Sequence, residues 1–287
     1  MQPPSVRPEV SKGWRGRLDL AYRRDAERTI VFDRHDGPLR VLKSLYPEAP
    51  HVCHSVLVHP PGGIVGGDVL AIDATLAEDA HALITTPGAT RFYRSLGEPA
   101  LQDVRVRAAS GARLEWLPLE TLAYSGCIAE TRMRFELAPG AEMIGWDVLA
   151  LGLPASDQAF ERGSYTQSIE LPGCWLERGR IAADDARLLD SPLGWDGQRV
   201  LATLWFAAGS ALRADRREAL LDAARASVGD SALHERCGAT AANDRVVVLR
   251  ALAPRVEPAM QLLTAVWARW REAAWRLPAC LPRVWRT

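Results

Sequence analysis

The chain has 287 residues, 35 basic and 35 acidic side chains, a formal net charge of zero and 48% apolar residues. That length is ample for a sizeable hydrophobic core, and the balanced charge excludes a broad nucleic-acid footprint. The basic residues are nearly all arginine, and Lys12 and Lys43 as the lysines leave few candidates for P-loop or Schiff-base chemistry.

Residues 1–12 are polar and Pro-rich, without the apolar stretch of a signal peptide, and read as a disordered leader ahead of a single domain over 13–287. In Gly13 to Tyr22, Trp14, Leu18, Leu20 and Tyr22 alternate with Arg15, Arg17 and Asp19, which predicts a half-buried strand. Thr29 to Phe32 predicts a second, closed by the turn His35-Asp36-Gly37-Pro38, and Leu39 to Leu45 a third. Val52 to Val58 is a continuous apolar run, and Leu70 to Leu76 alternates again.

Between those two runs lies His59-Pro60-Pro61-Gly62-Gly63-Ile64-Val65-Gly66-Gly67-Asp68, the most distinctive stretch of the chain. Pro60 and Pro61 fix φ and lack N–H donors, and the glycine pairs allow close backbone approach, so the stretch predicts a rigid, sharply turned connection. Pro60, Pro61, Gly62, Gly63, Gly66 and Gly67 are its structural residues.

Further strands are predicted at Ala82 to Thr86, then Val104 to Ala108 and Arg113 to Leu117 flanking Ser110-Gly111 as a hairpin would. Thr131 to Leu137, Met143 to Leu151, Ser164 to Leu171, Cys174 to Ile181, Val200 to Ala207 and Arg245 to Leu252 follow. Asp215 to Val228 predicts a helix with Asp215 as N-cap and an apolar face of Leu220, Leu221, Ala224 and Val228. Glu257 to Arg276 predicts a second, with a stripe of Leu262, Leu263, Val266, Trp267, Trp270 and Ala274. The fold class is therefore mainly β, with many short strands in stacked sheets and helices in the C-terminal third. The scattered Cys53, Cys127, Cys174, Cys237 and Cys280 form no CxxC pair and read as reduced thiols of a cytoplasmic protein. The most apolar later stretch, Val200 to Leu212, is shorter than the roughly 20 residues that span a bilayer.

Three kinds of chemistry are in view. Phosphate binding fails on context, because Gly67-Asp68 opens a strand and no lysine is near. Metal binding has His51, Cys53, His54 and His59 close in sequence, but on a strand His51 and Cys53 share one face and His54 takes the other. Spacing thus gives weak or transient ligands at Cys53, His54 and His59 and no tight cluster. The acids Asp68, Glu120, Asp147 and Glu177 each sit in or beside an apolar run; each either turns to solvent or an arginine, or lines a polar internal cavity. No GxSxG elbow is present.

A set of words in order then identifies a resemblance: Gly37-Pro38-Leu39-Arg40-Val41; Leu45-Tyr46-Pro47-Glu48; Cys53-His54; His59 to Asp68; Leu83 to Ala89; Phe92-Tyr93-Arg94-Ser95; Leu114 to Pro118; Gly145-Trp146-Asp147; and Pro282 to Thr287. Together they resemble the urease accessory protein D family over nearly the whole chain. The resemblance implies a β-superhelical fold and a non-catalytic chaperone that binds apo-urease and accessory protein F, which recruits the GTPase accessory protein G. It implies help with nickel insertion, nickel held only transiently, no tightly bound cofactor, and neither nucleic acid nor membrane as partner. It also implies an internal polar tunnel, for which Asp68, Glu120, Asp147 and Glu177 are the candidate lining. The chain departs from the family pattern at Leu153, Asp157 and Gln158, where Gly-Arg-Pro and Ser-Gly-Glu are usual. The alternative is a β-rich metal-dependent hydrolase using His54, His59 and Asp68.

Overall fold

The computed structural model describes residues 13–286, so the leader expected at 1–12 lies outside the described residues. From its fourth strand the chain winds between two layers. β1 (Arg15–Asp25) and β2 (Arg28–Asp36) pair antiparallel in the first sheet, and β3 (Arg40–Leu45) and β4 (Val52–Val58) in the second. As far as Leu171, each coil then visits both layers. β5 (Val69–Leu76), β8 (Ala100–Ala108), β11 (Ile128–Leu137) and β13 (Ser164–Leu171) enter the first sheet. β6 (His81–Thr85), β9 (Arg113–Leu117) and β12 (Glu142–Leu151) enter the second. Successive coils stack parallel in both layers, the geometry of a β-solenoid. The short β7 (Thr90–Phe92) and β10 (Thr121–Ala123) extend the second sheet beside β12. β14 (Trp175–Ala182) closes one edge of the first sheet; β15 (Val200–Ala208), β17 (Val246–Ala253) and β16 (Cys237–Ala241) continue the second antiparallel.

The alternation in sequence decides the layer. β1 and β5 alternate buried and open positions, so the first sheet has one wet face. β4, β6 and β12 are buried nearly throughout, because the second sheet is covered by the first sheet on one side and by helices on the other. Those helices are α2 (Ala214–Gly229) and α3 (Val256–Trp275); a short α1 (Ala186–Asp190) precedes β15. α3 buries Leu262, Leu263, Val266, Trp267 and Trp270 as its stripe predicts. Trp285 packs against Trp146 and Trp267 and donates to Thr85 Oγ1 at 2.8 Å, so this late tryptophan is part of the packed layer. Among the described residues no helix is long and apolar enough to cross a membrane.

Two local expectations are corrected. β8 and β9 are not a hairpin: Ser110-Gly111 is a corner between layers, with β8 pairing β5 and β11 and β9 pairing β6 and β12. Asp215 does not cap α2. The cap position is Arg213, and Asp215 lies in the first turn with its carboxylate 3.2 Å from the Arg213 Nε.

Candidate functional site: a polar seam between the sheets

The inner faces of the two sheets are largely apolar; apart from the buried Tyr22–Ser55 hydroxyl pair at 2.8 Å, their polar side chains gather mainly along one line. In the first sheet Gln102, Thr131 and Gln167 stand side by side in register on β8, β11 and β13. In the second sheet Asp147, Thr203 and Arg250 do so on β12, β15 and β17. Neighbours two residues along, such as Met133, Ile169, Leu149, Trp205 and Val248, belong to the intersheet core, so strand alternation points the polar six into the same space.

Contacts link the seam's side chains both across the sheets and within them. Gln167 Nε2 donates to Asp147 Oδ2. Tyr165 and Thr131 share a hydroxyl hydrogen bond at 2.6 Å. Glu177, on the inner face of β14, accepts from Arg250, with Nε 3.1 Å from both carboxylate oxygens. Thr203 is 1% exposed and its Oγ1 has no partner. Burial, with the Glu177 charge adding to it, pushes the Asp147 carboxyl up to about 7. At the Gln102 end the seam meets a cavity of about 220 Å³, lined also by His59, Gly63, Thr90, Arg91 and Trp116. The Trp116 indole N–H is buried without a partner.

Of the four acids singled out in the sequence, Asp147 and Glu177 are together in this seam. Asp68 is elsewhere and already engaged. Its Oδ1 accepts the Trp14 N–H at 2.7 Å and its Oδ2 the Val65 N–H at 3.0 Å. It ties the Pro60–Gly67 loop to β1, and that loop forms a wall of the small cavity through Gly62, Gly63 and Ile64. Glu120 lines a groove of about 830 Å³ on the helix side, with Leu122, Met260, Ala265 and Trp285. The loop with the departures lines it too: Leu153 and Gln158 bridge by backbone, and Asp157 takes φ 53°, where the resembled pattern has glycine. Asp tolerates that left-handed conformation better than most residues.

The metal candidates do not converge. Cys53 faces the intersheet core, His54 the helix side, and His59 the loop. Burial pushes the Cys53 thiol up and His59 down, against metal binding by the first and protonation of the second. Among the described residues no group of three or more His, Cys, Asp or Glu is arranged to hold a metal ion. The hydrolase arrangement of His54, His59 and Asp68 thus lacks its geometry.

A buried charged chain under α3 has no counterpart in the sequence reading. Arg271, fully buried, reaches Glu48 at 2.5 Å and approaches Glu115 at 3.6 Å. Glu48 holds His54 at 2.7 Å; Glu115 holds His81 at 2.7 Å and the Trp267 indole at 2.6 Å. Burial acts to raise the Glu48 carboxyl, but its bonds to His54 and Arg271 outweigh that and set it low. Arg271 follows Trp267 by four and Leu263 by eight, so the helical wheel already puts it on the apolar face.

Residues 14–286 match the family model described as UreD urease accessory protein. The chain is 64% identical over 276 residues to urease accessory protein UreD of Leptothrix cholodnii, covering 96% of this chain and 99% of that protein. It is 60% identical over 274 residues to the namesake of Variovorax paradoxus (96% and 99%) and 57% over 272 to that of Polaromonas naphthalenivorans (95% and 99%). The chain belongs to the UreD family of urease accessory proteins, and its part in urease maturation is non-catalytic.

Proposed function

We propose that this chain is a cytoplasmic scaffold on which nickel reaches apo-urease, and that the seam between its sheets is the ion's route. It binds apo-urease and accessory protein F, and through the latter the GTPase accessory protein G. The observation that carries the reading is Asp147, an acid enclosed between two sheets and facing an uncharged amide and an unpartnered hydroxyl. A core position of that kind costs stability unless something else uses it.

The donor chemistry suits passage over storage. Asp147, Gln167, Thr203 and Glu177 offer oxygen, few charges and no thiolate, a set that holds a partly hydrated divalent ion weakly and lets it go. Asp68 acts one step removed, by fixing the loop beside the cavity at the other end of the seam.

The test is urease activation in cells with limiting nickel, with urease and proteins F and G co-expressed. Omitting the chain abolishes activation, and Asp147→Asn lowers it several-fold while the variant stays folded and complexed. Wild-type activation by a folded Asp147→Asn chain rules the route out; activation without the chain rules out the scaffold.

A further inference from the structure

The outer end of the seam is occupied by a cation of the protein's own. Exposure rises along it: Thr203 is 1% and Asp147 6% exposed, whereas the side chains of Glu177 and Arg250 are 18% and 46% exposed. Arg250 grips Glu177 with Nε 3.1 Å from each carboxylate oxygen and with Nη2 on Oε2. Both oxygens that a divalent ion would use at the mouth are therefore engaged.

We propose that Arg250 is a displaceable lock on the seam, holding Glu177 and denying a divalent cation entry until the guanidinium swings aside. The inference rests on the passage reading above. Guanidinium and metal ion compete for the same two oxygens, and the planar fork of arginine matches a carboxylate better than a lysine ammonium does. The two positive charges also repel each other, more strongly beside a low-dielectric interior than in bulk water. Arg250 has room to move, since it borders an open recess of about 410 Å³ with Leu188, Trp195, Arg236 and Cys237. Register supplies the link inward: Arg250 opposes Thr203, and Thr203 opposes Asp147. The unpartnered Thr203 hydroxyl is the oxygen between the lock and the buried acid. Such a lock lets the free chain keep a carboxylate-lined interior clear of surrounding divalent ions.

Equilibrium dialysis of the purified full chain against Ni²⁺ alone, at pH 7.5, tests this. Arg250→Gln should raise nickel affinity about tenfold or more, Arg250→Lys by a smaller factor, and Arg250→Gln with Glu177→Gln should return to the wild-type level. Arg250→Gln at wild-type affinity overturns the lock, as does a gain that survives in the double variant, since the ion then binds elsewhere. If Arg250→Gln loses its circular-dichroism signature, Arg250→Lys decides: a rise supports the lock and wild-type affinity overturns it. Failure of the lock is distinct from failure of the passage. The first leaves Asp147→Asn impaired in urease activation; the second leaves it normal.

Discussion

Trp267 on α3 donates its indole N–H to the fully buried Glu115 carboxylate on β9 at 2.6 Å, and the other oxygen of that carboxylate meets His81 at 2.7 Å. α3 is thus keyed to the second sheet by charge as well as by its apolar stripe. Removing one member leaves the others buried and unpaired, at a cost of about 3–5 kcal/mol. Glu115→Ala and Arg271→Ala should each lower the urea midpoint accordingly. The double variant should lose less than the two separate losses together, because Arg271 approaches Glu115 at 3.6 Å and both belong to one network. Strictly additive losses would show that the network is no unit.

His81 gives the same network a pH signature. Burial holds its imidazole below the usual histidine range, although Glu115 pulls the other way. Below the ordinary value of 6.5 the unfolded chain takes up the proton before the folded one does, so stability falls as pH drops through that value. His81→Gln keeps a donor for Glu115 without a titrating ring. Between pH 7.5 and 5.5 it should lose less stability than the wild-type chain, measured as the difference between urea midpoints. Parallel losses would place the acid sensitivity elsewhere.

The layering was legible because burial leaves a period in sequence: β1 and β5 alternate, whereas β4 and β12 run apolar. Which strand pairs with which was not. Val104 to Ala108 and Arg113 to Leu117 look like hairpin partners because the sequence shows the turn between them and not the coil above and below. β7 and β10, three residues each, are too short to carry a period. Among the site residues, Asp147 was legible as the lone acid of an apolar run. Asp68 and Asp147 look alike in sequence, but one meets two backbone amides and the other a side-chain amide across the sheets. Arg271 was missed because an arginine on an apolar face reads as a breach of the stripe until Glu48 and Glu115 arrive from other strands.

The loop before β5 should tolerate its two neighbouring glycines differently. A Cβ on Gly63 would lie 2.0 Å from Tyr93 Cε2, whereas one on Gly62 meets nothing within 4 Å and suffers only from φ 78°. Gly62→Ala should cost about 1–2 kcal/mol, the left-handed penalty alone. Gly63→Ala must displace Tyr93, whose ring meets Tyr124 edge-on at 5.0 Å, and overpacking adds about 1–3 kcal/mol. Thermal melts of the two variants rank them; a Gly63→Ala chain as stable as wild type would mean that the ring moves freely and the loop is not rigid.

Asp147→Asn should separate stability from function. The carboxyl rises from an unperturbed 3.8 to about 7, burial being the larger cause and the Glu177 charge the smaller. With its folded value raised, the acid favours the fold below pH 3.8, and that contribution is lost as pH rises through about 7. At roughly 1.4 kcal/mol per pKa step, the cost of ionised Asp147 near pH 8 is on the order of 4 kcal/mol. Asparagine carries no such cost and, with its side-chain amide turned, still offers Gln167 an oxygen. The variant should therefore match wild type near pH 4, exceed it increasingly up to about pH 7, and keep that advantage above. Urea titrations at pH 4, 6 and 8 read the difference directly. A more stable chain that activates urease less well identifies an acid retained for its use, because a residue kept for packing would not lose function as it gained stability. A variant less stable than wild type at pH 8 would instead make Asp147 a structural partner of Gln167.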